Sequence, residues 1–204
     1  ILTPCVTNGT KFSLDTESKY IYDGGGVYGI YSNKIDLMVL TGLLNSNVVE
    51  YFMKQISPIK AGGYFQYSGD YLNQIPIPFA NNNSLGLRKY VESILNNTKD
   101  FYEKKNKFFK RINNSFGLKT LNKKFDSFYE LDFNEFIKEI EKLSKKKLSL
   151  KEQDEWEDYF NEYKEDLSNL MDKIEKNDNE INQMVYKLYG LTTEEIQIIE
   201  ASLK

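Results

Sequence analysis

The side chains of this sequence that could carry chemistry are carboxylates, lysines and tyrosines. There is no histidine among the 204 residues, and Cys5 is the only cysteine. Serine and cysteine triads, histidine-zinc centres, thiolate clusters and intramolecular disulfides are therefore excluded. Three patterns in the sequence could be mistaken for sites. Asp154, Glu155, Glu157 and Asp158 gather enough carboxylate to hold a metal ion, but Trp156, Tyr159 and Phe160 are interleaved with them at helical spacing. That pattern describes the solvated face of an amphipathic helix. Glu103-Lys104-Lys105 has the acid-x-lysine ending of a nuclease site without the strand-borne Pro-Asp that would complete it. Gly24-Gly25-Gly26 lacks the lysine and hydroxyl residue of a phosphate-binding loop and reads as a hairpin turn. No catalytic centre and no metal site emerge, so the sequence reads as a recognition module rather than an enzyme in its own right.

Two segments have the chemistry of binding. In Lys60-Ala61-Gly62-Gly63-Tyr64-Phe65-Gln66-Tyr67, the glycines allow close backbone approach. Lys60 could meet a phosphate, Tyr64 offers a stacking face, and Gln66 carries an amide able to read adenine. The same residues equally describe a glycine bend into an edge strand. From Lys99 to Lys124, nine basic residues stand against Asp100 and Glu103. On a helix, Lys104, Lys107, Lys110 and Arg111 fall on one side, away from Phe101, Phe108 and Ile112, which makes a positive stripe suited to phosphate contact. Its plain alternative is a solvated face of a lysine-rich helix. The net charge of -3 conceals this stripe, because residues 1–98 are balanced and residues 125–204 are strongly acidic.

The elements that must position these groups change character near residue 80. All four prolines and nine of the twelve glycines lie before it. A small α/β recognition domain is predicted over 1–80 and a helical support region over 81–204, an α+β architecture. In the first part, Lys11–Leu14, Lys19–Tyr22 and Val27–Tyr31 favour short strands in a meander. From Ile35 to Ile56, apolar residues recur at helical spacing, with Asn45-Ser46-Asn47 breaking the run into two helices. Tyr64–Tyr67 returns to strand, and Asp70–Gln74 forms a short helical turn. In the second part, a helix is predicted from about Leu85 to Phe116, and a second stripe runs from Tyr163 to Leu188; the two are expected to pack together as a long-helix hairpin. Asp132 with Glu135, Ser149 with Glu152, and Thr192 with Glu195 have capping-box spacing, and Gly190 suits a left-handed helix end.

Several ordered pieces resemble the C-terminal specificity region of TaqI-like DNA adenine methyltransferases and type IIG restriction-modification enzymes. They are G-L-L-N-S (42–46), V-V-E-Y-F (48–52), K-A-G-G-Y-F-Q (60–66), Y-L-N-Q-I-P-I-P (71–78) and the tail I-N-Q-M-V-Y-K-L-Y-G-L-T-T-E-E-I (181–196). The resemblance implies that this region reads double-stranded DNA while an N-terminal domain binds S-adenosylmethionine and methylates a flipped adenine. The catalytic Asn/Asp-Pro-Pro-Tyr/Phe motif and the glycine-rich cofactor motif of that domain are absent here, so no cofactor is expected in this chain. The family motif places Lys60, Gly62, Gly63, Tyr64 and Gln66 at the DNA face. Chemistry alone adds Thr7, Asn8 and Lys11, and Tyr28, Tyr31 and Asn33.

The chain begins at Ile1 without an initiator Met, which suggests a fragment of a longer polypeptide whose methyltransferase domain is its covalent partner. No apolar run approaches the roughly 18 residues of a membrane span, and a lone cysteine fits a reducing cytoplasm. A monomer is expected. The alternative is that the helical half is a dimerisation module, with Asn177 setting register in its apolar seam.

Overall fold

A computed structural model describes residues 1–17, 25–78 and 84–203. The fold is α+β: a few short antiparallel strands and a long helix hairpin. Contacts gather the chain into two compact units, one of residues 1–93 with 176–204 and the other of residues 94–175. These units do not follow the change of composition at residue 80, because each long helix gives one end to each unit.

In the first unit, the opening segment pairs twice. β1 (Leu2–Pro4) runs antiparallel to β3 (Val27–Gly29), with Thr3 opposite Tyr28. Beyond Cys5, β2 (Val6–Thr7) joins β5 (Tyr64–Gln66), which in turn pairs with β4 (Ile59–Lys60). This differs from the predicted meander starting at Lys11. Among the described residues, 11–14 make a single bridge, between Ser13 and Leu2, and a side chain takes up the backbone of Phe12. Asn45 accepts from the Phe12 amide at 2.9 Å and donates to the Phe12 carbonyl at 2.8 Å. Lys19–Tyr22 lies outside the described residues.

Asn45 sits at the break between α1 (Leu37–Leu44) and α2 (Asn47–Ile56). Asp36 caps α1 by accepting from the Met38 and Val39 amides and pairs with Arg88. Ser46 caps α2, and the Asn47 amide donates to the buried Asn182 at 2.8 Å. The G-L-L-N-S segment thus builds a junction. Leu40, Leu43, Leu44, Val49 and Met53 fill the core around it with Phe12, Tyr67 and Ile75. Gly42 is required by packing, since a Cβ there would lie 2.6 Å from Val91 Cγ2. Replacing Asn45 with alanine leaves the Phe12 amide without this partner and should cost about 2 kcal/mol, read as a lower urea midpoint with an unchanged slope.

After α3 (Gly69–Leu72), the chain enters α4 (Ser84–Phe116). A 3₁₀ segment (Lys123–Glu130), α5 (Phe133–Ser144), the 40-residue α6 (Leu150–Tyr189) and α7 (Thr193–Ser202) follow. Both ends of the predicted pairing between α4 and α6 are present. In the first unit Asn177 donates to Ser93 Oγ at 2.8 Å, so the polar residue in the seam is satisfied within the chain. In the second, Phe108 packs on Tyr163 and Phe116 on Trp156.

The core of the second unit is dominated by rings, with Phe108, Phe125, Phe128 and Phe136 fully enclosed. The expected caps are formed: Asp132 and Thr192 make reciprocal capping boxes with Glu135 and Glu195, Ser149 and Glu152 bond each other at the start of α6, and Gly190 is left-handed at φ 66°. Among the described residues no helix is long and apolar enough to cross a membrane.

Candidate nucleic-acid interface

The K-A-G-G-Y-F-Q segment is a β-hairpin. Lys60 lies opposite Tyr64 and Ile59 opposite Phe65, and Ala61-Gly62-Gly63 close the turn, with the Gly63 amide donating to the Lys60 carbonyl. Both glycines have positive φ, 80° and 76°, a conformation that side-chain-bearing residues adopt at a cost. The sequence left open whether this was a binding loop or a bend into a strand. Its geometry is both a bend and an exposed tip, since residues 59 to 64 are all exposed.

Pleating sorts the side chains. Directly paired residues share a face and successive residues alternate, so Lys60, Tyr64 and Gln66 lie on one side of this sheet, together with Val6, which pairs with Gln66. Val6 and Tyr64 are 41% and 44% exposed, large values for residues within strands. The opposite side carries Phe65 and the buried Thr7. One exposed face therefore holds a cation, an aromatic ring, a carboxamide and an aliphatic contact. Gln66 donates to Ser68 Oγ at 3.3 Å, and its backbone carbonyl accepts from Ser57 Oγ at 2.6 Å, which anchors the hairpin base. Val6 was not singled out in the sequence; only strand register brings it to this face.

The other candidates fall in different surroundings. Thr7 is 2% exposed and its hydroxyl donates to the Gly9 carbonyl at 2.9 Å, so it holds the turn instead of offering a surface. Asn8 and Lys11 are exposed beside it. Tyr28 is on β3 at 37% exposure, and Tyr31, at 81%, projects from the loop before α1, as does the exposed Asn33. Gly25 and Gly26 are exposed, and Gly26 accepts from the Cys5 amide; the start of that turn lies outside the described residues.

On α4, the positive stripe is partly consumed by its own unit. Lys104 pairs with Asp166 of α6, and Lys105 donates to the Asp126 carbonyl at 2.6 Å. Lys107, Lys110 and Arg111 remain exposed. In the acid-x-lysine run Glu103-Lys104-Lys105, the terminal lysine is therefore the one that reaches the Asp126 carbonyl. The carboxylates of Asp154, Glu155, Glu157 and Asp158 are all exposed on α6, and among the described residues no group of three or more potential ligands could hold a metal. In the 3₁₀ segment, the hydrogen bond and charge of Lys124, with help from Asn122, hold the Glu139 carboxyl below its usual range.

Comparison with known families bears on both parts of the chain. Residues 1–77 match the TaqI-like C-terminal specificity domain, and residues 80–185 match a domain of unknown function, DUF8810. The chain belongs to the DUF8810 family, and its first 77 residues are similar to the TaqI-like specificity domain. Its first part is thus a DNA target-recognition module of a methyltransferase system. The exposed Lys60–Tyr64–Gln66 face and both turn glycines lie within this TaqI-like specificity domain. No curated protein and no solved structure matches the chain.

Proposed function

We propose that residues 1–77 select the duplex sequence on which a linked, S-adenosylmethionine-dependent DNA adenine methyltransferase domain of type IIG-like build acts. The observation that carries this reading is the exposed sheet face of Lys60, Tyr64, Gln66 and Val6, set on a glycine hairpin within the TaqI-like specificity domain. Lys60 contacts a phosphate and fixes position. Gln66 offers the donor and acceptor that match the major-groove edge of adenine, and Tyr64 and Val6 supply apolar contact. The glycines carry no side chains, so the backbone of the tip can approach the groove closely.

The residues of this chain do not fit the cofactor. Gly62 and Gly63 turn between two antiparallel strands, whereas a cofactor loop of this class runs from a strand into a helix. In I-P-I-P, no carboxamide or carboxylate is available to take the adenine amino proton, and the Pro76 carbonyl accepts from the Tyr189 hydroxyl at 2.5 Å. Methyl transfer accordingly belongs to the linked domain, and this chain contributes sequence choice.

The test exchanges residues 1–77 in the intact enzyme for the equivalent region of a relative with another target, followed by mapping of methylated adenines. The methylated sequence should move with the exchanged region. An unchanged methylation map would place specificity elsewhere. Duplex binding by this chain should also weaken as salt rises, since each phosphate contact contributes a slope of roughly -0.9 in log affinity against log salt.

A further inference from the structure

The helical unit holds a recess of a different character from the sheet face. It has a volume of about 240 Å³ and is lined by Arg111 and Ser115 of α4 and by Glu155, Trp156 and Tyr159 of α6. Each residue arrives by helical geometry: Arg111 and Ser115 are one turn apart, as are Glu155 and Tyr159. The antiparallel pairing that sets Phe116 against Trp156, with ring centroids 5.0 Å apart, brings the two pairs to one opening. Trp156 is half-buried, with Phe136 and Tyr159 as further ring neighbours. The charge of Arg111 acts on the Tyr159 phenol from the rim, opposing the upward push that burial gives that hydroxyl. Glu155 pairs with Lys151 at 4.0 Å, between two highly exposed side chains, a pair that contributes little.

The chemistry of the lining narrows the ligand. A bare phosphate would meet the Glu155 carboxylate, and an ammonium group would meet Arg111. A planar ring that accepts on one edge and donates on another satisfies both, with indole and phenol rings as apolar walls. Guanine has that arrangement: O6 and N7 accept from an arginine, and N1–H and the N2 amino group donate to a carboxylate. Adenine presents the acceptor N1 beside its amino donor and would set a lone pair against Glu155. The volume lies below the roughly 300–1,000 Å³ of drug-sized ligand sites, which suits one base and not a longer stretch of strand. We propose that this recess binds a single guanine base, with Arg111 and Glu155 reading its two polar edges and Trp156 and Tyr159 lining the recess beside its ring.

Trp156 is the only tryptophan in the chain, so its fluorescence reports on this recess directly. The chain is titrated with guanosine monophosphate, adenosine monophosphate, inorganic phosphate, a guanine-containing single strand and the duplex of the same sequence. Saturable quenching is expected with guanosine monophosphate or with the single strand, at least about tenfold weaker with adenosine monophosphate, as loss of one bidentate contact implies, and absent with phosphate. Quenching by the free nucleotide alone assigns the site to a soluble ligand, and quenching by the strand alone assigns it to an unpaired base in nucleic acid. Glu155→Gln and Arg111→Ala change exposed residues, so circular dichroism should be unaltered while guanine affinity falls at least about tenfold. No saturable quenching by any guanine probe, equal response to adenosine monophosphate, or full affinity in Glu155→Gln would overturn the proposal. These outcomes are independent of target recognition by residues 1–77, because duplex binding through the sheet face does not involve Glu155.

Discussion

The double variant Lys60→Glu with Tyr64→Ala is expected to bind duplex DNA about 100-fold more weakly than the native chain at low salt. Two contacts are lost together, one to phosphate and one to a base or sugar face, and contacts of this kind are each worth roughly 1–3 kcal/mol. A combined loss near 2.7 kcal/mol corresponds to that factor. Both residues are exposed and directly paired across β4 and β5, so the change should leave the buried core of Phe12, Met53 and Tyr67 intact. Binding is measured by fluorescence anisotropy over a salt series, with circular dichroism as the check on folding. Undiminished affinity in a folded double variant would show that this sheet face is not where DNA lies. Reversing a charge near, but not in, the interface has a recognisable signature too: a change confined to low salt.

Phe108→Ala should produce the largest loss of stability, roughly 3–5 kcal/mol. Phe108 is fully buried and stacks on Phe128 with centroids 4.1 Å apart; Tyr159, Tyr163 and Phe136 lie within 5.8 Å. Removing the ring leaves a cavity among aromatic neighbours too large and rigid to close over it. Because a domain is typically stable by only 5–15 kcal/mol, the helical unit should lose most of its cooperativity near room temperature. Near-ultraviolet circular dichroism and denaturant titration report it, with a cost under about 1 kcal/mol refuting the assignment of Phe108 as the centre of this core. The residue lies in the second unit, so binding measured through residues 1–77 serves as an independent control.

Much of the architecture follows from local rules that act over a few residues. Apolar spacing placed α1, α2 and α4 to within two residues at their ends, and the pairs Asp132–Glu135 and Thr192–Glu195 formed the caps their spacing implied. Strands were harder to read. Leu2–Thr7 has neither clean alternation nor a turn beside it, with Pro4 and Cys5 at its middle. It becomes strand because β3 and β5, distant in sequence, supply partners on either side of Cys5. Lys11–Leu14 has strand-like residues yet forms no ladder among the described residues, where Asn45 satisfies Phe12 by a side-chain amide from 33 residues away. Local propensity carries no information about such a substitution.

The candidate sites divide along the same line. Residue types alone established that histidine and multi-cysteine chemistry were impossible, and the ordered motifs from Gly42 to Pro78, with the tail from Ile181 to Ile196, carried the resemblance to specificity domains. Which candidate side chains are exposed and which are taken up by partners was decided by tertiary placement. Thr7 was drawn inward by pairing with Phe65, Val6 was turned outward beside Gln66, and Lys104 lost its free charge to Asp166 from the facing helix. The Arg111–Glu155 recess needed the same helix pairing, because its two walls are at least 40 residues apart in sequence. Composition and periodicity are properties of neighbouring residues, so the sequence by itself determined which chemistries were absent and which segments were helical. Exposure, charge neutralisation and the meeting of distant side chains depend on what packs against what, and only the tertiary structure decided them.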